Sequence, residues 1–178
     1  MTTFVAFLRA VNVGRRKYPM AELREALTQA GFEGVETHIQ TGNVLLRTPL
    51  RSKTKVVAAL EQAMAADRGF EVPVVLLTPA DLVQVHEEAV AFGAGRELKG
   101  HYLALLVDTP AATPSSDLES RTFDGEEIRV GRRAVHLMLS SKSFHEAKTG
   151  NAEVEKFLGV ATTRSLTVVT KLVEKWGP

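Results

Sequence analysis

Four polar side chains in the first half of the chain, Arg9, Asn12, Gln40 and Asn43, are of the types that grip a small anion. Arginine offers charge on a rigid fork of donors, and side-chain amides offer orienting donors and acceptors. The four are distant in sequence, so only a fold can gather them. The first two lie in FVAFLRAVNVGRRKYP, where an apolar run at residues 4–8 leads into Arg9, Asn12-Val13-Gly14 and then Arg15, Arg16 and Lys17, before Pro19 opens a helix. A helix start carries free N–H groups and the positive end of the macrodipole, which favour anions. Arg9, Asn12, Gly14, Lys17, Gln40 and Asn43 therefore form one candidate ligand-binding set. A second set is Arg164, Thr167 and Lys171, spaced three and four apart. With Thr162 or Thr163 as helix cap these share one face, facing a ligand, the first half of the chain, or solvent.

Other chemistry finds less footing. There is no Cys, which excludes thiolate catalysis, disulfides and Cys-ligated metals. Histidines 38, 86, 101, 136 and 145 are scattered without metal-ligand spacing. The loop after residue 12 is neither a Walker A nor a dinucleotide-binding glycine loop. Ser140, Ser141 and Ser143 surround Lys142, but no nucleophile elbow or Ser-x-x-Lys occurs. His145, Glu146 and Lys148 could do acid–base work, yet nothing fixes their geometry. Asp108, Asp124, Glu126 and Glu127 read as turn and surface acids. No catalytic, cofactor-binding or metal residue is assigned, and no cofactor is expected.

The secondary structure that carries these residues follows from periodicity. Residues 4–8 are continuously apolar, the pattern of a strand buried on both faces. Met20, Leu23, Leu27 and Ala30 recur at helical spacing, with Gly31 at the end. Strands are expected at 35–40 and 44–47, joined by the turn Thr41-Gly42-Asn43. Ser52 opens a helix carrying Val56, Val57, Leu60 and Met64, and residues 72–77 form a fourth strand, with Pro73 pointing to a sheet edge. The order is βαββαβ, a ferredoxin-like antiparallel sheet, and right-handed crossovers give strand order 4-1-3-2. Thr78-Pro79-Ala80-Asp81 then starts a helix. Residues 102–107 form a strand, 109–116 a loop running into a short helix near Leu118, and 128–130 and 135–137 a hairpin. Residues 153–158 form a short helix closed by Gly159, and the last helix buries Leu166, Val169, Leu172 and Trp176. The expectation is an α+β protein of two subdomains: 1–78 ferredoxin-like, and 79–178 a smaller α+β unit packed on it.

In that topology the ends of strands one and two and the start of strand three share one sheet edge. Arg9 and Asn12 leave strand one there, Gln40 ends strand two and Asn43 begins strand three. Two readings stand. In one, the edge is a pocket for a carboxylate or phosphate. In the other, the amides only satisfy loop backbone and the cations are solvated.

The segments FLRAVNVGRRKYPMAELREAL, THIQTGNVLL and ATTRSLTVVTKL together resemble the domain of unknown function 1697 family, over nearly the whole chain. The resemblance implies two α+β subdomains, the first ferredoxin-like, and supplies no activity. Its motifs fall on Arg9, Asn12, Gly14 and Lys17, on Gln40, Gly42 and Asn43, and on Arg164, Thr167 and Lys171. The chain departs from the pattern at Arg15, where a second glycine is usual, and at Ser165-Leu166, where Asn-Trp is usual.

The 178 residues suffice for a real core. The net charge is +1, from 22 Lys+Arg and 21 Asp+Glu, so electrostatic recognition must be local. No apolar run approaches the ~20 residues of a membrane span and no signal peptide is read, so the expected location is cytoplasmic. The leading expectation is a small binding or regulatory protein with an anion or phosphate-type pocket. An enzyme acting on a phosphorylated or nucleotide-like substrate is the first alternative. Nucleic-acid binding ranks last, because aromatics are only 6% and the charge is near neutral.

Overall fold

The computed structural model describes residues 1–178. It is a mixed α+β protein whose Cα packing separates two compact units, Met1–Pro79 with Pro178, and Ala80–Gly177.

The first unit runs β1 (Thr2–Leu8), α1 (Met20–Gln29), β2 (Glu33–His38), β3 (Asn43–Thr48), α2 (Lys53–Arg68) and β4 (Val74–Leu77). Its antiparallel sheet has the order β2-β3-β1-β4. β1 is central, as its apolarity requires: Phe4, Val5, Ala6, Phe7 and Leu8 are all buried. Each of its large side chains contributes roughly 2 kcal/mol by leaving water. Pro73 precedes β4, which lies at the sheet edge where a missing N–H costs no ladder bond. α1 buries Met20, Leu23 and Leu27, and Ala30 falls just past its end, exposed. α2 is capped by the Ser52 hydroxyl, which accepts from the Lys55 N–H at 3.4 Å, and it buries Val56, Leu60 and Met64.

The second unit runs α3 (Pro79–Gly93), β5 (Gly100–Leu106), α4 (Ala112–Glu119), β6 (Glu126–Val130), β7 (Ala134–Leu139), α5 (Asn151–Leu158), β8 (Ala161–Ser165) and α6 (Leu166–Trp176). Its sheet order, β6-β7-β5-β8, repeats that of the first unit, and β5 to β8 repeat its βαββαβ order. With four strands and four helices it is not the smaller unit anticipated. Two local readings change. The stretch at 109–116 is loop only as far as Ala111, and helix begins at Ala112. Residues 161–165 are a strand paired with β5 rather than a cap and first helical turn. Ser165 therefore caps α6, its hydroxyl accepting from the Val168 N–H at 3.3 Å.

Candidate functional site

Gly42 is the hinge of the first unit's rim. Its carbonyl accepts the Leu8 N–H at 2.8 Å. Its φ is +79°, and a Cβ there would fall 2.7 Å from both Leu8 Cβ and Val11 Cγ2, so only glycine fits. The β2–β3 turn is thereby clamped onto the loop leaving β1. Asn12 completes the clamp. Its Nδ2 donates to the carbonyls of Gln40 at 2.7 Å and Tyr18 at 3.0 Å, and its Oδ1 accepts the Tyr18 N–H at 2.9 Å. Asn43 is fully buried, and its Nδ2 donates to the His38 carbonyl at 3.0 Å and the Thr41 hydroxyl at 3.1 Å. The fold thus brings Asn12, Gln40 and Asn43 to one rim, but both asparagine amides are turned onto backbone or turn atoms and shape the rim.

The cations divide in the same way. Arg16 Nε donates to the Ala10 carbonyl at 2.9 Å, its Nη2 donates to the Glu71 carbonyl, and its guanidinium lies 4.8 Å from the Phe70 ring centroid. It pins the loop. Arg15 and Lys17 are exposed, and Arg9 is half-buried with its N–H on the Pro73 carbonyl at 2.9 Å. α1 begins after Pro19 with no side-chain cap, and Gly14 turns the loop at φ +54°. All three non-glycine residues with positive φ, Ala10, Asn12 and Ile39, lie in the two segments that the clamp joins. The glycine and asparagine signals were legible in the sequence; Ala10 and Ile39 carried none.

The second set separates. Arg164 is in β8, opposite Leu103, and is buried, with Nη1 donating to the Thr162 hydroxyl and the Thr163 carbonyl, each at 2.9 Å. Burial pushes its guanidinium down to about 10. The expected helix face shared by Arg164, Thr167 and Lys171 therefore does not form. The pairing of β8 with β5 claims Arg164, and only Thr167 and Lys171 remain on α6. These two line an open cleft of about 780 Å³ between α3, β5 and α6 within the second unit. Lys171 is exposed and pairs with Glu174 at 2.7 Å.

His101 also lines this cleft, and its Nε2 lies 3.2 Å from His136 Nδ1. Both rings are buried, and burial lowers His101 to about 4 and His136 to about 3, with Arg96 adding to the first and His101 to the second. Both are neutral at pH 7. The pair escaped the sequence reading because the residues are 35 apart and meet only through the β5–β7 ladder. Glu126, read as a surface acid, is buried at its carboxylate. Burial alone would raise it, but the Thr149 hydroxyl, the Lys148 and Thr149 amides and the Lys142 ammonium outweigh that and hold it at about 2. It fastens the loop around residues 142–149 onto β6. No group of three or more His, Asp or Glu side chains is placed to hold a metal ion.

The family model described as "Protein of unknown function (DUF1697)" matches residues 1–136. That span holds the whole rim and both buried histidines, and ends before Arg164, Thr167 and Lys171. Among solved structures, the conserved bacterial protein SP0830 from Streptococcus pneumoniae is similar at 24% identity and a TM-score of 0.80, over 99% of this chain and 98% of that one. At that identity the likeness carries the fold alone. No curated protein matches.

Proposed function

The chain belongs to the DUF1697 family of proteins of unknown function, and from that premise we propose a small binding or regulatory protein that takes an anionic group at the rim following β1. The observation that carries this reading is the confinement of every non-glycine left-handed residue, Ala10, Asn12 and Ile39, to the segments around that rim. Such backbone costs about 1–3 kcal/mol per residue and persists only where surrounding bonds over-determine it, as at ligand sites. Here the Asn12 clamp and Gly42 supply those bonds. The recognition itself falls to Arg15 and Lys17, which are exposed and shortly precede the uncapped start of α1, together with Arg9. Glu22 in the first turn of α1 does not cancel this charge, because it pairs with Arg68. Asn12 and Asn43 preorganise the loops and do not touch the ligand.

The test is titration of the ¹⁵N-labelled protein with inorganic phosphate and pyrophosphate at low salt. Amide shifts at residues 13–22 that saturate in the millimolar range, and that vanish in the Arg15→Glu/Lys17→Glu variant, are expected. Unmoved rim amides, or shifts indifferent to the double reversal, overturn the reading.

A further inference from the structure

The two turns that build the rim also carry apolar side chains into solvent. Val13 and Ile39 are 58% and 45% exposed, and each stands one residue from the Asn12–Gln40 bond. Val13 opens a tight turn: its carbonyl accepts the Arg16 N–H at 3.0 Å, and the Asn12 N–H donates to the Arg16 carbonyl at 2.7 Å. Gly14 turns this tip at φ +54°, and a Cβ there would meet nothing within 4 Å, so the tip stands clear of the protein. Ile39 is displayed at a cost, because a β-branched side chain is poorly suited to φ +51°. Asparagine or glycine would turn the chain there with less strain, so the turn itself does not call for isoleucine.

Cations dominate the chain around these tips. Residues 1–21 and 37–60 contain no Asp or Glu. Arg15 shares the tip with Val13, Lys17 follows it, and both are exposed. Glu22 pairs with Arg68, and Glu71 meets Arg16 through its carbonyl. Apolar tips backed by exposed cations match a bilayer interface, where cations meet anionic headgroups and apolar side chains reach the acyl boundary. A peptide partner would need a groove or an open strand edge, and a turn tip offers neither. No helix is long and apolar enough to cross a membrane, and contact of this kind needs none.

We propose that the rim docks on an anionic lipid bilayer, with Val13 and Ile39 entering the boundary between headgroups and acyl chains and with Arg15 and Lys17 binding lipid phosphates. This inference rests on the anion reading of the same rim and names the source of the anion. The strain at Ile39 then supports an apolar contact that is made only on the membrane.

The test is co-sedimentation of the full chain with vesicles of equal parts phosphatidylglycerol and phosphatidylcholine, and with vesicles of phosphatidylcholine alone, at low salt. Binding to the first and not to the second is expected. The Val13→Ser/Ile39→Asn variant should bind roughly tenfold more weakly, while keeping the phosphate-induced amide shifts of the rim. The Arg15→Glu/Lys17→Glu variant should bind roughly thirtyfold more weakly or worse, and should lose those shifts as well. Trp176 is buried, so Val13→Trp adds an exposed reporter whose emission should move to the blue on the anionic vesicles. Equal binding to both vesicle types, an unmoved Val13→Trp emission, or full binding by Val13→Ser/Ile39→Asn each overturns the proposal. A rim whose amides answer inorganic phosphate while the protein ignores the vesicles overturns this proposal alone. A rim that answers neither overturns the anion reading with it.

Discussion

Asn12 Nδ2 donates to the Gln40 carbonyl at 2.7 Å, joining two loops 28 residues apart. This bond is why the β1–α1 loop and the β2–β3 turn behave as one surface. Replacing Asn12 by Ala removes it together with two bonds to Tyr18, and forces a residue with Cβ and no compensating amide to hold φ +56°. We expect a loss of about 2–3 kcal/mol in urea unfolding. Asn12→Gly should lose about 1 kcal/mol less, since glycine meets the left-handed backbone freely. Equal losses would show that backbone strain plays no part.

Ile39 holds φ +51° while 45% exposed. A β-branched side chain is poorly suited to that conformation and this one buries little in return. Ile39→Asn should therefore stabilise the protein by about 1 kcal/mol, read as a higher urea midpoint with an unchanged m-value. A lower midpoint would mean that its partial burial outweighs the strain.

Glu126 serves three donors of the 148–149 segment as well as Lys142. Glu126→Ala strands two amides and a hydroxyl, and a loss of roughly 3 kcal/mol is expected. Hydrogen exchange at Lys148 and Thr149 should rise before that of β6 itself. Unchanged exchange there would show that the loop is held by other means.

Acid stability follows from the buried groups. His101 faces His136 and the Arg96 charge, and His136 faces His101 and Glu88. Their native values, about 4 and about 3, lie below the ordinary 6.5. Between those limits the unfolded chain binds protons that the native state refuses, so stability falls as pH drops from 6.5. The slope is up to about 1.4 kcal/mol per pH unit for each histidine. Glu126, at about 2, adds a further loss as pH falls from 4.5 toward 2. Unfolding midpoints that are flat from pH 7 to pH 5 would contradict the buried, neutral pair.

The proton positions are open to direct measurement. Long-range ¹H–¹⁵N correlation spectra should show His101 and His136 both protonated at Nε2 near pH 7, because Glu88 faces that nitrogen of His136. A proton on His136 Nδ1 would reverse the relay and turn His101 Nδ1 into a donor.

Elements whose pattern is local, or whose pairing is the default one, are readable from the residues alone. The apolar run at residues 4–8 had to be a central strand. Gly42 had to turn, and Ser52 had to cap. Right-handed crossovers then left a single order for the first sheet, which the observed β2-β3-β1-β4 matches. The same reasoning put Asn12, Gln40 and Asn43 on one rim, because topology alone moves those segments together. What it left open was the direction in which each side chain turns. An asparagine amide serves backbone and ligand equally well, and the neighbours supplied by the fold choose between them. β8 was illegible for a related reason. Ala-Thr-Thr-Arg-Ser carries no apolar alternation, and its extended form comes from the ladder with β5, more than 50 residues away in the chain. Only that pairing buried Arg164 and moved the helix cap to Ser165. The neighbouring β5–β7 ladder set His101 beside His136, a juxtaposition that neither residue's local sequence encodes.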